Sequence, residues 1–214
     1  VFASTRLHPD YDQGSPLRAS QAPAAFALKP DPRNDPKVAL LLPYGEAMAG
    51  FSAIVNVTRN EDGVLRDIPL RETVGDWALP SLPLRLATTV TARSPRDFAA
   101  VVRPDWRRDT RLPRISAADL LAGHVPVCSD ATTAPPALQD RVVLVGYTAS
   151  GLNDAKPTPV DPVMPGVEVM AEATEALVAG SAIRTPPAWL KYAIAMLFTA
   201  LTTFAFFRGE PATD

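Results

Sequence analysis

The sequence predicts a mixed α/β domain, with a buried parallel strand and flanking helices, followed by a C-terminal transmembrane helix. Three observations lead to this prediction. Strand-like apolar runs alternate with helical segments along the chain. The run Arg141–Gly146 is almost continuously apolar and β-branched, which is typical of a parallel strand buried on both faces. Residues 192–207 form an uncharged stretch that approaches the thickness of a bilayer.

Residues 6–36 are predicted to form a long loop that either wraps the surface or is partly mobile. Prolines recur throughout this segment, and each one fixes φ and removes a backbone donor. The chain has 23 prolines among 214 residues, about twice the usual ~5%. After the loop, the short apolar run Val38–Leu42 predicts a strand that ends at Pro43.

Residues 51–58 and 64–70 are predicted to form a β-hairpin. Both runs are apolar and partly β-branched, and the segment between them ends in Asp62 and Gly63. Glycine adopts positive φ without steric cost, and aspartate tolerates turn geometry, so this pair favours a hairpin loop. Residues 98–102 are a further strand candidate.

Three helices are predicted in the globular region. Ser81 caps a helix that runs to about Ala92. In Ser116–Gly123, Ser116 and the aspartate three residues later resemble a capping box, and the glycine ends the helix. Gly166–Gly180 forms a longer helix. Its predicted apolar face consists of Val167, Met170, Ala171, Thr174, Leu177 and Val178.

The stretch from Trp189 to Phe207 is predicted to cross a membrane as a helix. It would measure roughly 28 Å, against ~30 Å for a hydrocarbon core. Aromatic residues and Lys191 suit one interface, and Arg208 closes the other end. A buried core helix is the alternative, which the apolar character on all faces disfavours. The predicted organisation is a domain over residues 1–187, a membrane helix over 189–207 and a short tail over 208–214.

Composition excludes several classes of function. The net charge is −2, with 21 basic and 23 acidic residues, which argues against a nucleic-acid-binding module with a basic patch. Cys128 is the only cysteine, so an internal disulfide and a multi-cysteine zinc site are excluded. The sequence begins at Val1 inside an apolar stretch and has no secretory leader. We therefore expect a fragment whose targeting information lies upstream.

No catalytic, metal or cofactor site is assigned from the sequence. His124 and Cys128 lie four residues apart and admit a Cys/His hydrolase, but Pro126 between them argues against a shared helix face. A buried thiol beside a loop histidine is favoured instead. Residues 146–151 follow a strand as a phosphate-binding loop would, yet the lysine of that motif is missing.

The predicted loop 147–162 contains several polar side chains. This loop leaves the carboxyl end of the predicted buried strand, where open α/β sheets bind ligands. Two roles stay open for Asp154 and Thr158. They either tie the loop down through hydrogen bonds to backbone groups or contact a ligand directly. The polar side chains in question are Asn153, Asp154, Lys156, Thr158 and Asp161.

Short motifs follow one another along the chain in a fixed order. The first group comprises Asp62–Leu70 (DGVLRDIPL), Pro80–Leu82 and Ile115–Gly123. The second comprises Val142–Gly146, Gly151–Asp154, Thr158-Pro159 and Met164–Glu168. Across about residues 38–190, their order and spacing resemble the second type of CHASE domain, the extracellular sensory domain associated with cyclases and histidine kinases. The candidate ligand or family-motif positions are Asp62, Gly63, Arg66, Gly146, Asp154, Thr158, Pro159, Gly166 and Glu168.

The resemblance implies the sensor region of a bacterial transmembrane receptor, with residues 1–187 outside the inner (cell) membrane. In the family, a membrane helix precedes the domain and further ones follow it. The output is a histidine kinase or another kinase, or a nucleotide cyclase. We expect the opening part of the domain and the output to lie outside this sequence. The resemblance also implies a homodimer and an unknown small-molecule or envelope signal. The net charge argues against a nucleic-acid partner.

Two observations limit what can be inferred from the resemblance about the ligand and the membrane orientation. The chain has Met170 where the family commonly has histidine, and Glu172 where it commonly has an amide, so a ligand that contacts these positions would differ. The basic residues flanking the apolar stretch do not favour a cytoplasmic C-terminus, so the orientation rests on the resemblance. An extracytoplasmic hydrolase using Cys128 and His124 and a structural envelope protein remain alternatives.

Overall fold

The computed structural model of the chain describes residues 1–106, 112–123, 138, 141–148, 154–184 and 186–208. The chain divides into two compact units, Val1–Ala182 and Ile183–Asp214. The first unit combines short strands with helices, including one parallel strand pair, and the described part of the second contains one long helix. This architecture confirms the predicted α/β class.

The elements are numbered in chain order. The strands are β1 (Phe2–Arg6), β2 (Phe26–Ala27), β3 (Leu40–Leu41), β4 (Ser52–Ile54), β5 (Ile68–Pro69), β6 (Arg71–Val74), β7 (Trp77–Pro80), β8 (Val101–Val102), β9 (Ala155–Lys156) and β10 (Met164–Pro165). The helices are α1 (Glu46–Gly50), α2 (Leu82–Thr91), α3 (Ala117–Leu121), α4 (Gly166–Val178) and α5 (Ala188–Arg208).

The strands form two three-stranded sheets and two two-stranded ones. The first sheet has the order β3-β1-β4, in which β1 is antiparallel to β3 and parallel to β4. The second is antiparallel, with the order β2-β7-β6. A parallel bridge between Ile54 and Ser81 joins these two sheets. The remaining pairs are β5 with β8 and β9 with β10, both antiparallel.

Two apolar clusters form the core of the first unit. The smaller lies under the N-terminal segment and consists of Ala19, Ala22, Val38, Ile54 and Leu79. The larger includes residues of α2 and α4, which pack against each other, together with Leu65, Ile68, Leu70 and Met164. Most of its members are fully buried, so this cluster contributes most of the hydrophobic stabilisation.

The helices agree with the prediction because their signals are local. The Ser81 hydroxyl oxygen accepts a bond from the Leu84 amide at 3.5 Å and caps α2. In α3, Ser116 accepts from the Asp119 amide at 3.4 Å, and Gly123 follows with φ +74°. α4 is also confirmed, but its buried face is rotated. Met170, Thr174 and Leu177 are buried as predicted, whereas Val169, Ala173 and Ala176 replace Val167, Ala171 and Val178.

Residues 6–36 contain more regular structure than the prediction of a loop. They include two 3-10 turns, Pro9–Gly14 and Ala19–Gln21, as well as β2. Side chains fix this segment to itself and to the sheets. The Asp35 carboxylate accepts bonds from the amide and hydroxyl of Ser20 at 2.9 and 2.7 Å, and Lys29 pairs with Asp76 at 2.7 Å.

The predicted hairpin between residues 51–58 and 64–70 is wrong. β4 pairs with β1, and β5 pairs with β8. Only the turn itself forms: the Gly63 amide donates to the Asn60 carbonyl at 2.8 Å, and Gly63 has φ +80°. The Asn56 side chain bonds to both backbone groups of Arg6, and this arm of the chain therefore follows β1 instead of its sequence neighbour.

The predicted buried strand at Arg141–Gly146 is also wrong. The segment is not in a strand, and Val143 and Val145 are 53% and 88% exposed. Leu144 is partly buried against the larger core cluster, and Gly146 lies against Val167. One side of the segment thus faces α4. The other side has no covering element among the described residues. An extended segment without a hydrogen-bonded neighbour does not form part of a sheet.

α5 has the length and composition of a membrane-crossing helix. Trp189–Arg208 has a mean hydropathy of 1.6 over its most apolar window, and none of that window is buried by the described protein. A core helix of a soluble protein would be mostly buried. The only basic side chain in the last turn is Arg208, as expected at a membrane interface.

Candidate functional site

Two segments that carry most of the family-motif positions, and that are far apart in sequence, are joined by a backbone hydrogen bond in the first unit. The amide of Leu65 donates to the carbonyl of Pro157 at 2.7 Å, which joins the turn at residues 60–67 to the β9–β10 hairpin. The hairpin leads directly into α4. We call residues 60–67 and 154–168 together the motif junction. Eight of the nine predicted positions fall within these two ranges, and Gly146 lies against Val167.

The turn of the motif junction is held by its own polar side chains. Arg66 pairs with Asp62 at 2.5 Å, and the Asp62 carboxylate also accepts from the Val64 amide at 3.1 Å. The hydrogen bond from Arg66 lowers the pKa of Asp62. The Asn60 side-chain oxygen accepts from the Arg66 amide at 3.0 Å. Gly63 supplies the positive φ that the turn requires.

Arg103 and Asp67 form a second ion pair behind this turn. The guanidinium donates two parallel bonds to the carboxylate, both 2.7 Å long. This hydrogen bonding lowers the pKa of Asp67. The Trp106 indole adds a bond to the Arg66 carbonyl at 3.3 Å. Sequence reasoning did not find Arg103, because no local pattern links residues 36 positions apart.

Thr158 shapes the loop between β9 and β10. It is 6% exposed, its hydroxyl accepts from the Asp161 amide at 3.1 Å, and its own amide donates to the Asp161 carbonyl at 2.8 Å. These bonds correspond to the first of the two roles left open by the sequence, in which Thr158 ties down the loop. Pro159 is exposed at the bend that follows.

Two glycines allow close approach to the start of α4. A Cβ on Gly166 would overlap the Asp154 carboxyl group, and the Gly166 amide donates to the Asp154 carbonyl at 2.9 Å. A Cβ on Gly146 would lie 2.5 Å from the Cβ of Val167. The Asp154 side chain is half exposed and lies 3.4 Å from the Lys156 ammonium. The Asp154 side chain therefore keeps access to solvent.

Acidic side chains follow one another along α4. Glu168 forms an ion pair with Arg114, and its Oε1 is buried without a hydrogen-bond partner among the described residues. Glu172 is half buried one turn later. Desolvation, with smaller contributions from Glu175 and Glu168, raises the pKa of Glu172 to about 7. This helix thus carries a carboxyl group that changes charge near neutral pH.

The described residues show no arrangement typical of a catalytic or metal centre. Within the described ranges, no three His, Cys, Asp or Glu side chains are grouped so as to hold a metal ion. The candidate nucleophile and base of the hydrolase alternative, Cys128 and His124, lie outside the described residues, as does Asn153.

A comparison with protein families assigns the chain. The family model described as "CHASE2 domain" matches residues 13–206, which is most of the sequence. The chain belongs to the CHASE2 domain family. No curated protein and no solved structure matches it. CHASE2 is an extracellular sensory domain family of signalling receptors and is not a catalytic one.

The CHASE2 match extends beyond the motif junction at both ends. It begins within the N-terminal segment, at residue 13, and ends inside α5. It therefore includes every strand of the two three-stranded sheets except β1, which lies before residue 13. At these sheets the structure shows a feature that the sequence did not indicate. An open cleft of about 500 Å³ lies between β1, the end of β4 and the β6–β7 hairpin.

One of the residues that line the cleft is a nearly buried arginine, Arg6. The Arg6 side chain is 6% exposed and pairs with Asp12 at 2.7 Å and with Glu72 at 3.0 Å. It also donates to the carbonyls of Leu7 and Ala39. Its carboxylate partners raise the pKa of Arg6 despite the opposing effect of burial. Sequence reasoning missed this network because Glu72 lies 66 residues from Arg6.

Proposed function

We propose that this CHASE2 domain is the extracytoplasmic sensor region of a bacterial transmembrane receptor. In this proposal it passes a periplasmic signal through the inner membrane to a cytoplasmic kinase or nucleotide cyclase. The observation that carries the proposal is the apolar α5, which follows the sensory domain in the chain and is long enough to cross a membrane. A sensor joined directly to a membrane helix is the arrangement that transmembrane signalling requires.

The path of the signal in this proposal runs through α4. This helix contacts α2, β8 and the β9–β10 hairpin, so it adjoins both the core and the motif junction. Residues 179–187 then connect α4 to α5, and Pro186 and Pro187 stiffen this short connection. A ligand or envelope condition that favours one packing of α4 would shift the population of α5 states. Homodimerisation would let two such helices change their mutual packing.

Partition between water and detergent tests the membrane part of the proposal. The full chain is expected to enter the detergent phase. Leu197→Arg places a charge near the centre of α5, which costs about 3 kcal/mol in a bilayer, so this variant should shift towards water. Leu197→Met is the matched control and should behave like the unsubstituted chain. A full chain that stays in the aqueous phase as a monomer would contradict membrane anchoring.

A further inference from the structure

The cleft above Arg6 has the size of a small-molecule site. Its volume of about 500 Å³ falls within the ~300–1,000 Å³ usual for ligand pockets. Its lining comes from β1, β4, β5, β6 and β7, which belong to three sheets, and from residues next to these strands. The bridge between Ile54 and Ser81 joins the two three-stranded sheets. The cleft is therefore built on regular structure and not on a loose surface loop.

The charged side chains around Arg6 indicate which sign of ligand charge this part of the cleft favours. Arg6 brings one positive charge, and its donors are directed at Asp12, Glu72 and two backbone carbonyls. Asp12 and Glu72 bring two negative charges. The three side chains thus have a net charge of −1 when both carboxyl groups are ionised, and the positive member already has its partners.

Glu72 carries the excess charge. One carboxylate oxygen accepts from Arg6 at 3.0 Å, and the second accepts no bond from any described residue. The Glu72 side chain is 38% exposed and lines the cleft. Burial, reinforced by the nearby Asp12 charge, raises the pKa of Glu72. A cation placed at the second oxygen would relieve this unfavourable environment.

His8 and Arg71 also line the cleft. His8 lies 3.1 Å from Asp10 and is mostly exposed. The Arg71 guanidinium is directed to the Pro95 carbonyl, at 3.4 Å. Accessible apolar lining is provided by Leu7 and Pro69, which suits a short hydrocarbon body. Ile54 and Leu79 also line the cleft but are only 5% and 1% exposed.

We propose that this cleft binds a small aliphatic amine, whose ammonium group donates to the free oxygen of Glu72 while its carbon chain lies against Leu7 and Pro69. The role of this amine as the signal of the sensor rests on the proposed function. Its binding to the cleft does not depend on that function. A charged donor on a carboxylate supplies a strong, directional contact, and the apolar walls favour a body of a few carbons over a bare metal ion.

Calorimetric titration of the full chain in detergent micelles tests the proposal. The probes are n-butylamine and 1,4-diaminobutane, with butyrate as a probe of similar size and opposite charge. Both amines are expected to bind and butyrate is not. Glu72→Gln should weaken amine binding about tenfold or more, because the amide removes the negative charge. Glu61→Gln, at an exposed turn position outside the cleft, should leave it unchanged.

A second variant keeps the test valid if Glu72→Gln impairs folding. Thr58 lines the cleft and is exposed, so Thr58→Lys places a competing ammonium there without disturbing the core. It should also weaken amine binding. Absence of amine binding, equal binding of butyrate, or unchanged affinity in a folded Thr58→Lys chain would overturn the inference. None of these outcomes bears on detergent partition, so failure here is distinguishable from failure of the proposed function.

Discussion

Arg103 binds the carboxylate of Asp67 through two hydrogen bonds of 2.7 Å each. The pair links the turn of the motif junction to the residue that follows β8. Asp67 belongs to the family motif, and its partner lies 36 positions later. The ion pair explains in physical terms why a carboxylate stands at this motif position, since an amide could not accept both bonds from a guanidinium fork.

Asp67→Asn should therefore destabilise the first unit by about 1 kcal/mol, a value reduced by the partial exposure of both side chains. Chemical denaturation of the full chain in detergent measures the change. Asp62→Asn is the matched control, because the Asp62–Arg66 pair is more exposed. It should have the smaller effect. Equal effects of the two substitutions would contradict the structural role of the Arg103 pair.

Gly146→Ala should destabilise the chain by about 1–3 kcal/mol, as overpacking does. The added Cβ would meet the Cβ and both methyl groups of Val167, which belong to α4 and cannot turn away. Thermal unfolding of the full chain is the measurement. Gly14→Ala adds the same atom where no other atom lies within 4 Å and should be close to neutral. An unchanged midpoint for Gly146→Ala would show that residues 141–148 do not pack on α4.

Glu172 should make the domain less stable as pH rises towards neutrality. Its pKa is about 7 in the folded chain against 4.5 for the free side chain. The folded state therefore holds the proton more tightly, and this contribution to stability is present below pH 4.5 and lost as pH approaches about 7. Denaturation across this range should show a shallower decline for Glu172→Gln. Glu61→Gln should keep the decline of the unsubstituted chain. If Glu172→Gln and the unsubstituted chain had the same dependence of stability on pH, the raised pKa of Glu172 would be refuted.

Asp76 should make the domain less stable as pH falls in the acid range, which is the opposite of the dependence expected for Glu172. Lys29 and the amides of Arg33 and Asn34 donate to its carboxylate, which lowers its pKa from 3.8 to about 2. Its contribution to stability is present above pH 3.8 and lost as pH falls towards 2. Asp76→Asn should flatten the acid side of the stability profile, whereas Asp31→Asn, at an exposed position, should not.

The helices were predictable because their determinants are local. The caps at Ser81 and Ser116 lie within three residues of the groups they bind, and α5 is defined by composition alone. Strand pairing was not predictable in the same way. The apolar run at residues 141–146 has every local property of a buried strand, yet it lacks a described neighbour to pair with.

The same difference between local and long-range contacts decided which parts of the candidate site were predictable. The sequence indicated the turn at Asp62 and Gly63 and gave loop-fixing as one of two possible roles of Thr158, because these residues bond to close neighbours. It gave no sign that the turn would meet the β9–β10 hairpin through Leu65 and Pro157. It also did not indicate the Arg6 network. The Leu65–Pro157 and Arg6–Glu72 contacts join residues more than 60 positions apart, and only the fold brings them together.

The central claim is that the first unit lies outside the cell membrane and that α5 crosses it. Cysteine accessibility in spheroplasts expressing the whole native coding region tests this most directly, with a maleimide that does not cross membranes. Tyr44 is 93% exposed, and Tyr44→Cys should gain label in intact spheroplasts over the unsubstituted receptor. Thr213→Cys should gain label only after permeabilisation. Labelling of Thr213→Cys in intact spheroplasts, or protection of Tyr44→Cys, would contradict the account.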